Sequence, residues 1–217
     1  MSIALSLGNN LTTGGIFKPA AVNNTSVNNV TDFAGVTGGG TLVLLSTQTA
    51  SASASISFTT GIDSTYDEYI FKFINIHPAN DNVNFQFNMS TDTGSNYNVT
   101  KTTTTFFANG TESGSGAQLA YSTGGDLAQG TGFQNLTDTV GNDADASCSG
   151  TLHLFKPSST TFVKHFLSRV NIMWSGDGPI DWFAAGYGNT TSAVDAVQFK
   201  MTSGNIDDGT IQMFGIL

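Results

Sequence analysis

Few groups in this sequence can carry proton, metal or nucleophile chemistry. There are three histidines (His77, His153, His165), one cysteine (Cys148) and sixteen carboxylates, of which only Glu68 and Glu112 are glutamates. No two histidines have His-x-Glu or His-x-x-x-His spacing, so they read as ordinary sheet histidines rather than metal ligands. Cys148 has no pairing histidine beside it and reads as a buried or idle thiol. A single cysteine also rules out an internal disulfide. Glycan cleavage needs two facing carboxylates. Asp63, Asp92, Asp177, Asp207 and Asp208 instead lie in turn-like stretches, where Asx geometry accounts for them. Asp138, Asp143 and Asp145 form an acidic cluster of the kind that contributes to calcium sites, but without EF-hand spacing. There is no Gly-x-Ser-x-Gly elbow and no phosphate-binding loop; Gly114-Ser115-Gly116 has no lysine near it. The expectation is a chain with no catalytic residue, no cofactor and no metal. The residues best suited to recognition are Asn109, Trp174, Trp182 and Tyr187. Aromatic side chains stack on sugars and anchor interfaces. The competing reading places both tryptophans in the core.

The composition narrows the class. The chain has 217 residues, 7 Lys and Arg against 16 Asp and Glu, and a net charge of -9. Thr, Gly, Ser and Asn account for 96 of the 217 residues. Hydrophobic residues are still 39%, with 16 Phe, which is enough to build a core and excludes disorder. Glu, Lys and Arg are too scarce for a coiled coil. Seven cations cannot make a phosphate footprint, so no nucleic-acid partner is expected. No apolar stretch is long enough for a membrane span. The opening MSIALSLGNN has no basic residue and a broken apolar run, so no signal peptide is expected. What remains is an all-β protein with long polar loops.

Residues 1–40 differ from the rest. They contain two charges, Lys18 and Asp32, and end in Gly38-Gly39-Gly40. Their scattered apolar residues support neither a long helix nor a core. They read either as an extended arm packed on its own domain or as an arm that orders against a partner. In the second case Leu5, Leu7, Ile16, Phe17 and Phe33 are the docking residues.

From residue 41 strand signals recur. Thr41 to Thr47 is β-prone. Ala50, Ala52, Ala54, Ile56 and Phe58 alternate with serines at strict period two. Tyr66 to Ile76 is nearly continuously apolar in its second half, predicting a central strand covered on both faces and ended by Pro78. Val83, Phe85, Phe87 and Met89 point inward; Asn84, Gln86 and Asn88 point outward. Tyr97 to Phe107 is a threonine-lined strand. Residues 108–150 are glycine-rich and irregular, with AQLAY and DLAQG each able to hold a helical turn or a short strand. Thr151 to Pro157, Thr160 to Trp174 (with a bend or bulge), Pro179 to Gly188, Ala193 to Met201 and Thr210 to Leu217 complete the set. Residues 204–209 read as a hairpin turn. Eight to ten strands at this spacing predict an all-β, jelly-roll or Greek-key β-sandwich over 41–217, carrying the extended N-terminal arm 1–40.

Four stretches together carry a resemblance. They are FTTGIDSTYDEYIFKFINIHPANDNVNFQFNMS from Phe58, SNYNVTKTTTT from Ser95, STTFVKHFLSR from Ser159 and GYGNTTSAVDAVQFKMTSGNIDDGTIQMFGI from Gly186. In combination they resemble a module of structural proteins of tailed bacteriophages, many from marine and cyanobacterial phages. The resemblance covers about residues 41–217. It implies a virion protein assembled in the host cytoplasm, of tail-fibre or receptor-binding type and without enzymatic activity. A homotrimer is expected by analogy. Its implied partners are other virion proteins, in the tail or the major capsid protein, and a host surface glycan or receptor. The same layout also suits a capsid decoration protein that cements the head shell.

Overall fold

The computed structural model describes residues 42–114 and 116–216. Leu5, Leu7, Ile16, Phe17 and Phe33 lie outside the described residues. Twelve strands form: β1 (Val43–Thr49), β2 (Ile56–Phe58), β3 (Glu68–Pro78), β4 (Phe85–Ser90), β5 (Lys101–Asn109), β6 (Gln118–Tyr121), β7 (Gln134–Asn135), β8 (Cys148–Phe155), β9 (Lys164–Trp174), β10 (Gly178–Gly188), β11 (Ala196–Met201) and β12 (Ile206–Ile216). There is no helix among the described residues. An eight-stranded sheet has the order β1-β12-β3-β8-β9-β10-β5-β6, and a four-stranded sheet has the order β2-β11-β4-β7. The pairings within both sheets are antiparallel. The all-β sandwich expected from the sequence is therefore what forms.

An aromatic seam joins the sheets. Phe199 of β11 lies 5.3 Å from the Phe71 ring and 5.2 Å from the Phe73 ring, both on β3 of the opposite sheet. On its own sheet it stacks on Phe85 at 5.7 Å and meets Phe58 edge-on. Phe87 of β4 meets Phe166 of β9 at 4.9 Å. Edge-to-face and offset pairs at these distances add to the burial of the rings themselves. The scarcity of charge leaves this seam as the main cohesive element.

Several sequence expectations are corrected. The alternation at residues 50–55 does not make a strand. Ala52 adopts a φ of 49°, and Ala52 and Ala54 are exposed; only Ile56–Phe58 pairs in register. β3 is central but not covered on both faces. Tyr69, Phe71 and Phe73 are buried, while Ile70 and Lys72 face the other way. β9 alternates without a register shift against either neighbour, so the expected bulge is absent. The irregularity lies between β3 and β12 instead. Asn75 has a φ of 49°, and opposite it Gly209 has a φ of 118°. A Cβ on Gly209 would stand 2.6 Å from Asn75 O, so only glycine fits. Residues 204–209 accordingly do not close a hairpin. β11 and β12 belong to different sheets, and this segment carries the chain between them. Asn88, expected to face outward, is fully buried.

The irregular stretch 122–141 belongs to the sandwich. The four-stranded sheet is too narrow to cover the inner faces of β5 and β10, and this stretch covers them. Leu127 N–H donates to the Thr103 hydroxyl Oγ1 at 2.7 Å, and Lys101 and Gly130 exchange backbone hydrogen bonds. Leu136 and Val140 are fully buried. AQLAY supplies β6, while DLAQG runs along the first half of β5 and forms a single antiparallel bridge there, Gly130 to Lys101.

Phe199→Ala is expected to lower the unfolding free energy in urea by about 3–5 kcal/mol. A loss below about 1 kcal/mol would show that the seam is not what joins the sheets.

Candidate recognition face

Period two decides what each strand shows to solvent. On β10 the buried set is Ile180, Trp182 and Ala184, and the outward set is Asp181, Phe183, Ala185 and Tyr187. On β9 the outward set is His165, Leu167, Arg169 and Asn171. The strand register aligns these side chains into rows across the open face of the large sheet. One row runs Leu44, Phe214, Ile70, His153, Leu167, Ala185. Beside it runs Lys72, Thr151, Arg169, Phe183, Phe106, Tyr121. Leu167 is 53% exposed and Tyr121 57%. A solvent-facing sheet surface normally carries polar side chains, so the mostly apolar first row and the aromatic half of the second, Phe183, Phe106 and Tyr121, are unusual there.

The chemistry of this face is aromatic, hydroxylic and nearly neutral. Phe106 and Phe183 stack with centroids 4.5 Å apart and planes 6° apart. The Arg169 guanidinium lies over Phe183 at 5.0 Å. Its Nε and Nη2 donate to Asp181 at 3.0 Å and 2.6 Å, a forked pair. That hydrogen bond and the Asp181 charge raise the Arg169 pKa above its usual value. A shallow groove next to the stack is lined by Thr102, Thr104, Phe155, His165, Leu167 and Tyr187. His165 meets the Tyr187 ring edge-on at 6.1 Å.

The predicted recognition residues do not come together. Trp182 is 2% exposed and stacks on Phe107 inside the sandwich, so it is a core residue. Trp174 is half-buried against the core, and Asn109 pairs with Ile180 on the inner-face register. The Trp174 Nε1 and Asn109 Oδ1 atoms are both buried without a hydrogen-bond partner. Tyr187 alone stands on the open face. Tyr187 stands five positions after Trp182, an odd offset, so an unbroken strand must show them on opposite faces. That parity was available in the sequence. Phe106, Phe183 and Leu167 were missed because an apolar residue on an alternating strand reads as core on whichever face it lies.

Trp182 Nε1 and Gln134 Oε1 are likewise buried without a hydrogen-bond partner, whereas His77 and His153 are held locally. His77 Nδ1–H donates to Ala146 O at 2.6 Å, and His153 Nδ1 lies 2.5 Å from Glu68 Oε1. Burial pushes the Cys148 thiol up to about 12, far from thiolate reactivity. Burial also raises the Asp138 carboxyl. Among the described residues no three His, Cys, Asp or Glu side chains converge to hold a metal ion, so Asp138, Asp143 and Asp145 do not gather. Lys156 pairs with Asp67, and Lys200 sits over the Phe133 ring at 4.2 Å.

The chain matches no family model, no curated protein and no solved structure.

Trp182→Ala is expected to cost about 3–5 kcal/mol of stability. Leu167→Ser is expected to stay within about 0.5 kcal/mol of wild type. Urea titrations of the two variants check the division between core and open face; equal losses would contradict it.

Proposed function

We propose that this chain is a non-enzymatic structural protein on the exterior of a bacteriophage virion, of tail-fibre or receptor-binding type. The sequence resemblance of residues 58–90, 95–105, 159–169 and 186–216 supports the location. The observation that carries the binding role is the open face of the large sheet, with Phe106, Phe183, Leu167 and Tyr187 set among threonine hydroxyls. Aromatic rings flanked by hydroxyl and imidazole groups suit a neutral partner such as a surface glycan, through stacking and hydrogen bonding. They do not suit a phosphate backbone, because the cation on this face beside the stack, Arg169, is already tied to Asp181. Residues 1–40 are assigned to docking on other virion proteins, and the working unit is a homotrimer.

Two measurements test this reading. Quantitative mass spectrometry of purified particles is expected to give a copy number that is a small multiple of three or six relative to the major capsid protein. Hundreds of copies would replace it with the capsid-decoration reading, and none would remove the virion assignment. In a host-cell binding assay, the Leu167→Ser, Tyr187→Ala double variant is expected to lose at least about tenfold in affinity, the equivalent of 1.4 kcal/mol. Unchanged binding would displace the recognition role from this face.

A further inference from the structure

Two lysines in this charge-poor chain are buried with no solvent exposure, Lys101 and Lys164. Gly188 of β10 pairs with both, one on each side. Lys164 Nζ donates to two backbone carbonyls, Phe162 O at 2.7 Å and Thr190 O at 3.2 Å. Lys101 Nζ donates to Val99 O at 2.8 Å and to the side-chain Oδ1 of Asn88 at 2.5 Å. None of these acceptors carries a charge. A buried ammonium without a counter-ion is costly and tends to shed its proton. Burial accordingly pulls the Lys101 pKa down to about 7. A substantial fraction of the amine is then neutral near pH 7, which is the form that acts as a nucleophile.

Asn88 is held just as firmly. It is fully buried, and its Oδ1 also accepts from Met89 N–H at 2.9 Å. Its Nδ2 donates to Tyr97 O at 2.6 Å and Thr131 O at 3.0 Å. Both donors and both acceptor positions are therefore used, which fixes the orientation of the carboxamide. Asn88 lies on β4 of the small sheet, and Lys101 opens β5 of the large one.

We propose that Lys101 and Asn88 join through an intramolecular amide bond that staples the two sheets together. The neutral Nζ attacks Asn88 Cγ, and the carbonyl electron pair moves onto Oδ1. Met89 N–H lies where that negative charge develops. One Nζ proton passes to Nδ2, the Cγ–Nδ2 bond breaks and ammonia leaves. The product is a secondary amide between Cγ and Nζ, and nothing is oxidised or reduced. Tyr97 O and Thr131 O hold the departing nitrogen throughout. Fixing the two groups in contact replaces a bimolecular encounter by a unimolecular one, an advantage of about 10⁵–10⁸ M in effective concentration. The cross-link does not depend on the virion reading.

The test is the intact mass of the denatured, full-length wild-type protein. It is expected to be lower than the sequence mass by one ammonia. Trypsin is expected not to cut after Lys101. A protease that cuts before Asp92, which lies between the two residues, is expected to leave their fragments joined. Asn88→Ala and Lys101→Arg should each restore the full mass; the wild-type result decides the matter even if these variants fold poorly. Full mass with ordinary cleavage after Lys101 overturns the proposal. So does an ammonia loss that tandem mass spectrometry maps elsewhere, such as a succinimide at Asn109-Gly110.

Discussion

An eight-stranded sheet must bury one whole face, and its partner sheet has only four strands. Most other features of the molecule follow from that mismatch. Where β2, β11 and β4 lie over β3 and β9, the contact is the phenylalanine seam centred on Phe199. Where the small sheet runs out, the polypeptide between residues 122 and 141 takes over. Gly125 is pressed so closely against Trp182 and Thr105 that a Cβ there would stand 2.8 Å from the indole. Gln134 reaches back to Gly125 O at 2.9 Å, and Thr105 Oγ1 donates to Ser122 O at 2.7 Å. The cover is irregular because it follows the surface beneath it, with side-chain hydrogen bonds in place of a ladder.

Among the described residues nothing comparable lies on the opposite face of the large sheet. Its rows of side chains are aligned by strand register, which needs no help from the loops. The same strands that bury Phe166, Val170 and Ile172 on one side therefore present His165, Leu167 and Arg169 on the other. A sheet surface that is aromatic and hydroxylic on its outer side suits the recognition role proposed above. The low charge serves the same end, since the described cations other than Lys72 are paired with a carboxylate, placed over a ring or buried. Lys101 and Lys164 are the buried ionisable cations among the described residues. They are satisfied by neutral acceptors, an arrangement that favours a reactive amine over a stable ion pair.

Much of the fold was legible in the sequence. Val83, Phe85, Phe87 and Met89 are all buried, as their alternation implied, and the β9 pattern of Phe162 to Trp174 settled into an unbroken strand from Lys164. The alternation of Ala50 to Ser55 misled because alanine is too small to fix a face, so the backbone could turn at Ala52. β7, two residues long, and the cover of residues 122–141 could not be read, because their order comes from what they pack against. The recognition face was only partly legible. Tyr187 and Trp182 were grouped as recognition candidates, although the parity of β10 puts them on opposite faces. Lys101 and Asn88 gave no local signal. They lie on separate strands, and only the packing of two sheets brings them into contact.

The open face of the large sheet is the surface proposed above to contact the host. Hydroxyl-radical footprinting of Phe106, Leu167, Phe183 and Tyr187 tests that contact most directly, comparing dilute isolated protein with intact particles bound to host cells. The account predicts strong labelling of these side chains in the isolated protein and marked protection in the bound particle. Equal labelling in both states would contradict it.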